Sequence, residues 1–521
     1  MTLSISEHTG VVLIAGAVAV IFFTLKMLGG HDQREPPLAP QSLPLIGHMV
    51  GMSRSKFNYY VELSKAIDAP IFTMSLPGRK MYVITKLELV VAVQKRHKIL
   101  AFPPIEAKFA STVCGASQQA QAILAKNVNG DDGDHGLSME SYAAMRAALK
   151  PGAGLDDMNR VMIREIARSL DEIQPNPSKR LNLYSWMRDA ITMATTRSVY
   201  GPMNPYEDPK IIDAFWQFES GLMTILVGLI PTLTARKPIS ARQKVVDAFI
   251  KYYEAGGVKQ ASTLAQLRYE AEADNGVPLD DIARYEVGGS IAVLVNTAPA
   301  AFWCLLMINS TPDLLMEIRV EVDGCIKSEV KDGKIIKSLD ITTLKDSSPL
   351  LLSTYQEVLR CRSMGTSVRE VMEDTYLDQW LLKKGAMLQM PSRIIHQDSS
   401  IWGEDVEDFN PRRFFHRRRD TSFRAFGGGK TLCPGRHFAT NEILAVVATF
   451  ISRFDMKPAQ GLWTLPTTMH TNVAAVVMQP DNDLEVEVTQ RAGHDNVSWE
   501  IGLRESEKVF ALVSEDHDET A

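Results

Sequence analysis

The chain has 521 residues, a formal net charge of −6 and 23% charged side chains. That is enough length to bury one large core or two ordinary ones, and it offers no basic footprint for nucleic acid, which is excluded as a partner. Its five cysteines, Cys114, Cys304, Cys325, Cys361 and Cys433, are odd in number, widely spaced and free of any Cys-x-x-Cys pair. This excludes a disulfide framework and a structural zinc site and predicts reduced thiols in the cytosol.

Residues 10–25, GVVLIAGAVAVIFFTL, carry no charge and as a helix would rise roughly 24 Å, enough for a thin endoplasmic reticulum bilayer. The flank before them holds Glu7 and no lysine or arginine, and no A-x-A site follows, so residues 1–30 read as a retained anchor in membrane lipid and not as a cleaved signal peptide. Lys26 and Arg34 put the body of this single-pass protein in the cytosol. Residues 31–50 then form a stiff hinge, with four prolines between 36 and 47.

Residues 51–490 read as one domain without internal repeats or a second linker. Helical periodicity dominates, at 156–173, 240–255, 279–307 and 436–453, whereas strand-like stretches such as RKMYVIT and AMLQMP are short. Residues 491–521 are acidic at their end, SEDHDETA, and are expected to be a solvated tail. The stretch IAVLVNTAPAAFW, residues 291–303, sets Asn296 and Thr297 in an apolar helix, where such a pair is ordinarily hydrogen-bonded core. Pro299 alters that reading, because its missing N–H deletes the bond to the Val295 carbonyl and opens a groove one turn from Thr297. Further along, STYQEVLRCRS puts Glu357 and Arg360 three apart on one helix face, in itself no more than an ion pair.

Residues 423–436, FRAFGGGKTLCPGR, gather one cysteine, four glycines and three basic side chains. Pro434 suits the first position of a helix, which places Cys433 at the cap, where free N–H groups and the helix dipole favour a metal-binding thiolate. The glycines clear side chains from the path of a flat macrocycle. An inert cysteine in a glycine-rich turn is the plain alternative, and the ten-residue pattern Phe426-x-x-Gly429-x-x-x-Cys433-x-Gly435 is too constrained for it.

That pattern resembles the haem-binding loop of the cytochrome P-450 family, the haem-thiolate monooxygenases. The resemblance implies a mainly α fold with small β-sheets behind an N-terminal transmembrane helix, and haem b whose iron is ligated by Cys433, with Phe426, Gly429 and Gly435 around it. It implies that Glu357 and Arg360 are joined by Arg413, from FNPRRFF, in a buried network, and that Arg146 and Arg369 reach the haem propionates. Two departures stand out: Tyr142 replaces the usual tryptophan four before Arg146, and Thr431 replaces the usual basic residue two before the cysteine.

The segments Asn-Thr-x-Pro-x-x-Phe-Trp and Gly-x-Thr-x-Cys-Pro-Gly-Arg look like the subgroup of sterol 7-alpha and 12-alpha hydroxylases and prostacyclin synthase. That subgroup holds monooxygenases and an isomerase that needs no external electrons. Asn296 and Thr297 are the catalytic candidates, and retention of the Thr297 hydroxyl favours the monooxygenases, whose protons must be delivered, here through bound water, since no acid precedes the threonine. A haem protein that binds a ligand without turnover is the reading from another class.

The expected partners are O2, a lipophilic substrate such as a sterol, terpenoid or other secondary metabolite, and an NADPH cytochrome P-450 reductase. No Gly-x-Gly-x-x-Gly follows a strand, so NADPH acts only through that reductase. The basic set Arg412, Arg413, Arg417, Arg418, Arg419, Arg424, Lys430 and Arg436 offers it a docking surface. Segments 102–113 and 215–229 are expected to line an apolar pocket, and the style of the motifs suggests fungal secondary metabolism.

Overall fold

The computed structural model describes residues 30–43, 46–227, 234–415, 420–472, 475–493, 497–504 and 511–517, together with Gly16, Val18 and Ile21. The expected membrane stretch at 10–25 therefore lies almost wholly outside the described residues; Gly16, Val18 and Ile21 are helical and exposed. The chain divides into two compact units, Met1–Phe102 with Thr366–Gln397, and Pro103–Gly365 with Asp398–Ala521. The boundaries fall at Phe102/Pro103, Gly365/Thr366 and Gln397/Asp398, none of which the composition reading of one domain at 51–490 marks.

The first unit is built on a five-stranded sheet, in the order Ile71–Leu76, Arg79–Ile84, Met387–Pro391, Thr366–Val371 and Leu100–Ala101. The two stretches expected as strands, RKMYVIT and AMLQMP, lie side by side in parallel, with Met387 opposite Met81. Both faces are covered: Tyr82, Ile84 and Leu388 pack on one side, and Phe72, Met74, Met81 and Val83 on the other. The start of the proline hinge is docked on this sheet. Thr73 donates its N–H to Pro37 O at 2.8 Å and its hydroxyl to Pro36 O at 2.7 Å, and Ala39 N–H donates to Thr73 O at 2.8 Å. Behind it, the buried Glu35 accepts from Tyr82 Oη at 2.7 Å and Lys80 Nζ at 2.6 Å. The stiffness expected from proline content is thus reinforced by pairing.

The second unit is mainly helical. Six of its helices carry the site: α1 (Ala153–Asp171), α2 (Leu183–Tyr200), α3 (Leu279–Leu294), α4 (Thr297–Asn309), α5 (Pro349–Arg362) and α6 (Arg436–Arg453). The single helix expected at 279–307 is two helices, interrupted at Val295 and Asn296, just before Pro299 withdraws its donor. Residues Leu279–Asn309 are long and apolar enough to cross a membrane, the one such stretch among the described residues, and 78% of its most apolar window is buried inside the protein. It is a core element, as expected of a helix that is apolar all round. Helix α6 is likewise buried along nearly its whole length.

Small sheets flank these helices. One pairs Phe454–Pro458, Glu485–Gln490 and Ser178–Asn182 antiparallel. Another joins Val497–Gly502 in parallel to Lys334–Asp340. The stretch expected as a solvated tail is therefore partly structured: it supplies a strand, and Asp516 has no exposed surface. Local acidity does not reveal partners some 80 or 160 residues away.

Candidate active site

The cysteine loop is closed by a bond from Cys433 N–H to Phe426 O at 2.9 Å. Gly427 and Gly429 take left-handed conformations, with φ of +77° and +60°, which a side chain would strain. Helix α6 begins at Arg436 with Gly435 at its cap, so Cys433 stands two residues ahead of the cap and not at it. Its sulfur faces the N–H groups of Gly435 and Arg436. Burial pushes the thiol pKa up, and those two N–H groups together with the Arg436 charge pull against the rise. A Cβ on Gly435 would lie 3.9 Å from the sulfur, so the glycine leaves that side open.

Helix α6 is fixed from two directions. Thr195 on α2 donates to Glu442 at 2.7 Å, and Tyr355 on α5 meets Thr440 at 3.1 Å between hydroxyls. On α5, Glu357 and Arg360 are 0% and 2% exposed. Arg360 Nε and Nη2 donate to the Glu357 carboxylate, each at 2.8 Å. Arg413 Nε joins at 3.0 Å and Asn410 N–H at 3.0 Å. Arg413 also reaches Trp402 O and Asp405 Oδ1, both at 2.9 Å, and the Trp402 ring lies 5.3 Å from the Arg360 guanidinium. The three side chains singled out in the sequence thus meet; Asn410, Trp402 and Asp405 were not singled out, since Asn410 and Trp402 bond through backbone and the Asp405 carboxylate carries no local signal that sets it apart.

At the α3–α4 break, Asn296 Oδ1 accepts from Val476 N–H at 2.8 Å and Val477 N–H at 3.2 Å. Its carboxamide oxygen is thereby committed to holding segment 475–478. The same segment is fastened by Trp303 Nε1 to Met478 O at 2.7 Å and by Met478 N–H to Arg362 O at 3.0 Å, with Arg362 4.0 Å over the Trp303 ring. Thr297 is the first residue of α4 and is buried. Its hydroxyl makes no side-chain hydrogen bond among the described residues.

The remaining candidates are placed elsewhere. Arg146 is exposed, donates to Tyr142 O at 3.3 Å and stacks 5.9 Å from the Tyr142 ring. Arg369 belongs to the first unit, buried on strand Thr366–Val371, with Nη1 on Val368 O at 2.7 Å and its guanidinium over Phe102. The basic docking surface needs correction. Arg413, Arg424 and Arg436 are turned inward, Arg413 to Glu357 on α5, Arg436 to Asp516 and Arg424 to Thr421 O; Arg412 pairs with Glu317. Lys430 remains exposed, and Arg417–Arg419 lie outside the described residues.

A family model described as cytochrome P-450 matches residues 36–486. The chain belongs to the cytochrome P-450 family. It is 36% identical over 517 residues to the cytochrome P-450 monooxygenase nodJ of Hypoxylon pulicicidum, covering 96% of this chain and 99% of that one. It is 26% identical to a 25-hydroxycholesterol 7-alpha-hydroxylase of Rattus norvegicus, over 64% of this chain and 86% of the relative. The solved structure of retinoic acid-bound cyanobacterial CYP120A1 shares the fold, with a TM-score of 0.67 at 17% identity, over 88% of this chain and all of that one.

The chain is therefore an oxidoreductase of the monooxygenase kind, and the family implies a haem-thiolate iron. The cysteine loop fits that group. A buried thiol disfavours its own ionisation, as Cys433 does, until a cation binds it, and two backbone N–H groups stand ready to share the thiolate charge. Left-handed glycines on the loop keep side chains out of the approach.

Proposed function

We propose that this chain is a membrane-anchored monooxygenase of the endoplasmic reticulum, catalytic domain in the cytosol, that inserts one atom of O2 into a lipophilic substrate of the sterol or terpenoid kind with electrons from NADPH cytochrome P-450 reductase. Haem ligated through Cys433 supplies dioxygen binding and O–O cleavage, which thiolate donation favours. The 36% identical fungal monooxygenase supports the reaction class. A relative named for hydroxycholesterol and a fold neighbour that holds retinoic acid support a lipophilic substrate. The apolar stretch at 10–25 supports the anchor.

The observation that carries the reading is the broken helix. Val295 and Asn296 interrupt the helix, Asn296 spends its oxygen on Val476 and Val477, and among the described residues the Thr297 hydroxyl makes no side-chain hydrogen bond. A hydroxyl beside an opened turn can hold a water and hand on its proton; the apolar residues of α4 keep bulk water away from it. Asn296 positions the segment, and Thr297 positions the water. An isomerase that rearranges a pre-oxidised substrate has no use for that proton.

The test couples the full chain in membranes to the reductase, with a panel of sterols and terpenoids and products identified by mass. Thr297→Ala should keep consuming NADPH while product per NADPH falls severalfold, short of the ~100-fold loss of an essential proton donor because water substitutes in part. Thr297→Ser should restore most of the coupling. Product formed equally well by Thr297→Ala and without reductase would sink the monooxygenase reading in favour of the isomerase.

A further inference from the structure

Segment 511–517 ends on the cysteine loop. Asp516 Oδ1 accepts from Arg436 Nε at 2.8 Å and Nη2 at 2.5 Å, and Oδ2 accepts from the N–H groups of Leu512 at 2.6 Å and Val513 at 3.0 Å. His437 Nε2 stands 3.6 Å from Oδ1. The third guanidinium nitrogen, Arg436 Nη1, donates to Cys433 O at 3.1 Å. Next to Asp516, Glu515 Oε1 accepts from Gly429 N–H at 3.0 Å. Leu512 and Val513 are themselves buried, so the segment is seated by apolar contact as well as by charge.

This arrangement is costly unless it does something. Burying a carboxylate and a guanidinium together takes two charges out of water, and the pair is often no more stable than apolar residues of similar volume. Here the pair is saturated with bonds, and its geometry leads to the backbone of the cysteine. Burial alone would push the Asp516 carboxyl up; the nearby His437 and the bonds from Arg436, Val513 and Leu512 outweigh it and hold it well below the usual carboxylate range.

We propose that Asp516 is a positioning residue for the Cys433 thiolate, acting through Arg436, with Glu515 as an auxiliary on Gly429. Asp516 fixes the guanidinium so that Nη1 holds the Cys433 carbonyl. With the carbonyl held, the turn through Pro434 keeps the Gly435 and Arg436 N–H groups aimed at the sulfur. Partners of this outer kind commonly set how firmly a ligand holds its metal. The inference rests on the haem-thiolate reading, and its test separates the two.

The haem-loaded full chain is reduced, exposed to carbon monoxide, and followed as its long-wavelength thiolate band decays to the shorter-wavelength band of haem without thiolate. Asp516→Asn keeps the shape and gives up the charge; it should speed this decay at least about tenfold, the scale of a lost bond between buried charged groups. Glu515→Gln should speed it less. Global unfolding, followed by far-ultraviolet circular dichroism, should shift in Asp516→Asn by less than the decay rate rises, and hardly at all in Glu515→Gln. A chain ending at residue 510 should reproduce the Asp516→Asn decay, which covers the case in which asparagine partly satisfies Arg436. Decay at the wild-type rate in both Asp516→Asn and the shortened chain overturns the proposal, and so does acceleration only in proportion to global unfolding. A wild-type chain with no thiolate band at all would instead overturn the haem-thiolate reading beneath it.

Discussion

Glu357 has no exposed surface and accepts, among the described residues, from two nitrogens of Arg360, one of Arg413, the N–H of Asn410 and, at 3.8 Å, the Cys361 thiol. Deleting its carboxylate would strand two inward-facing guanidinium groups, and an uncompensated buried charge of this kind costs about 3–5 kcal/mol. Glu357→Ala is therefore expected to lower the urea midpoint of the full chain and to reduce its haem content. Asp405→Ala, which removes a half-exposed partner of Arg413 and of the Asn410 carboxamide, should do so much less. Equal effects from the two would show that the network does not depend on its buried centre. The pairing of Glu357 with Arg360 was legible from their spacing and the role of Arg413 from resemblance. The role of Asn410 was not, because a backbone N–H leaves no mark in the sequence. Asn296 teaches the same lesson: its partners lie 180 residues downstream, and no local pattern announces a long-range bond to main chain.

Helix α6 carries a second buried carboxyl. Burial pushes Glu442 up to about 8, and the hydroxyl of Thr195 pulls only partly against it. The folded chain thus keeps a proton that the unfolded chain releases near the ordinary value of 4.5. Between those two values the folded state binds more protons, so this group's contribution is fully present below the lower value and is lost as pH rises toward the upper one. Glu442→Gln should flatten the decline of the urea midpoint across that window and leave the variant more stable at its upper end. Parallel profiles for variant and wild type would show that Glu442 ionises normally. At the level of elements the sequence was informative where structure is local: 436–453 was expected as a helix and is one, and Pro299 marked the break between α3 and α4. It was uninformative where structure is assembled from afar. The five-stranded sheet joins strands at 71–84 to strands at 366–391, and alternation within each strand says nothing about which strand lies beside it.

Across the whole chain, each of the two units has its own organisation. Proline-rich residues 36–39 are pinned along strand Ile71–Leu76, so a chain arriving from a membrane would enter the first unit along a fixed line. In the second unit, α6 leads from the cysteine loop into the core, and α4 packs against that helix. The division into two units escaped a reading by composition because the Pro103-Pro104 step and Gly365 at its crossings are too short to read as a linker. The seated segment around Asp516 escaped it because acidic chain ends are usually solvated. The central claim is that Cys433 holds haem iron through its thiolate. Its most direct test is the carbon monoxide difference spectrum of the reduced full chain beside Cys433→Ala. The wild type should give the long-wavelength band from which the family takes its name, and the variant should lose it; a band that persists in Cys433→Ala would contradict the assignment.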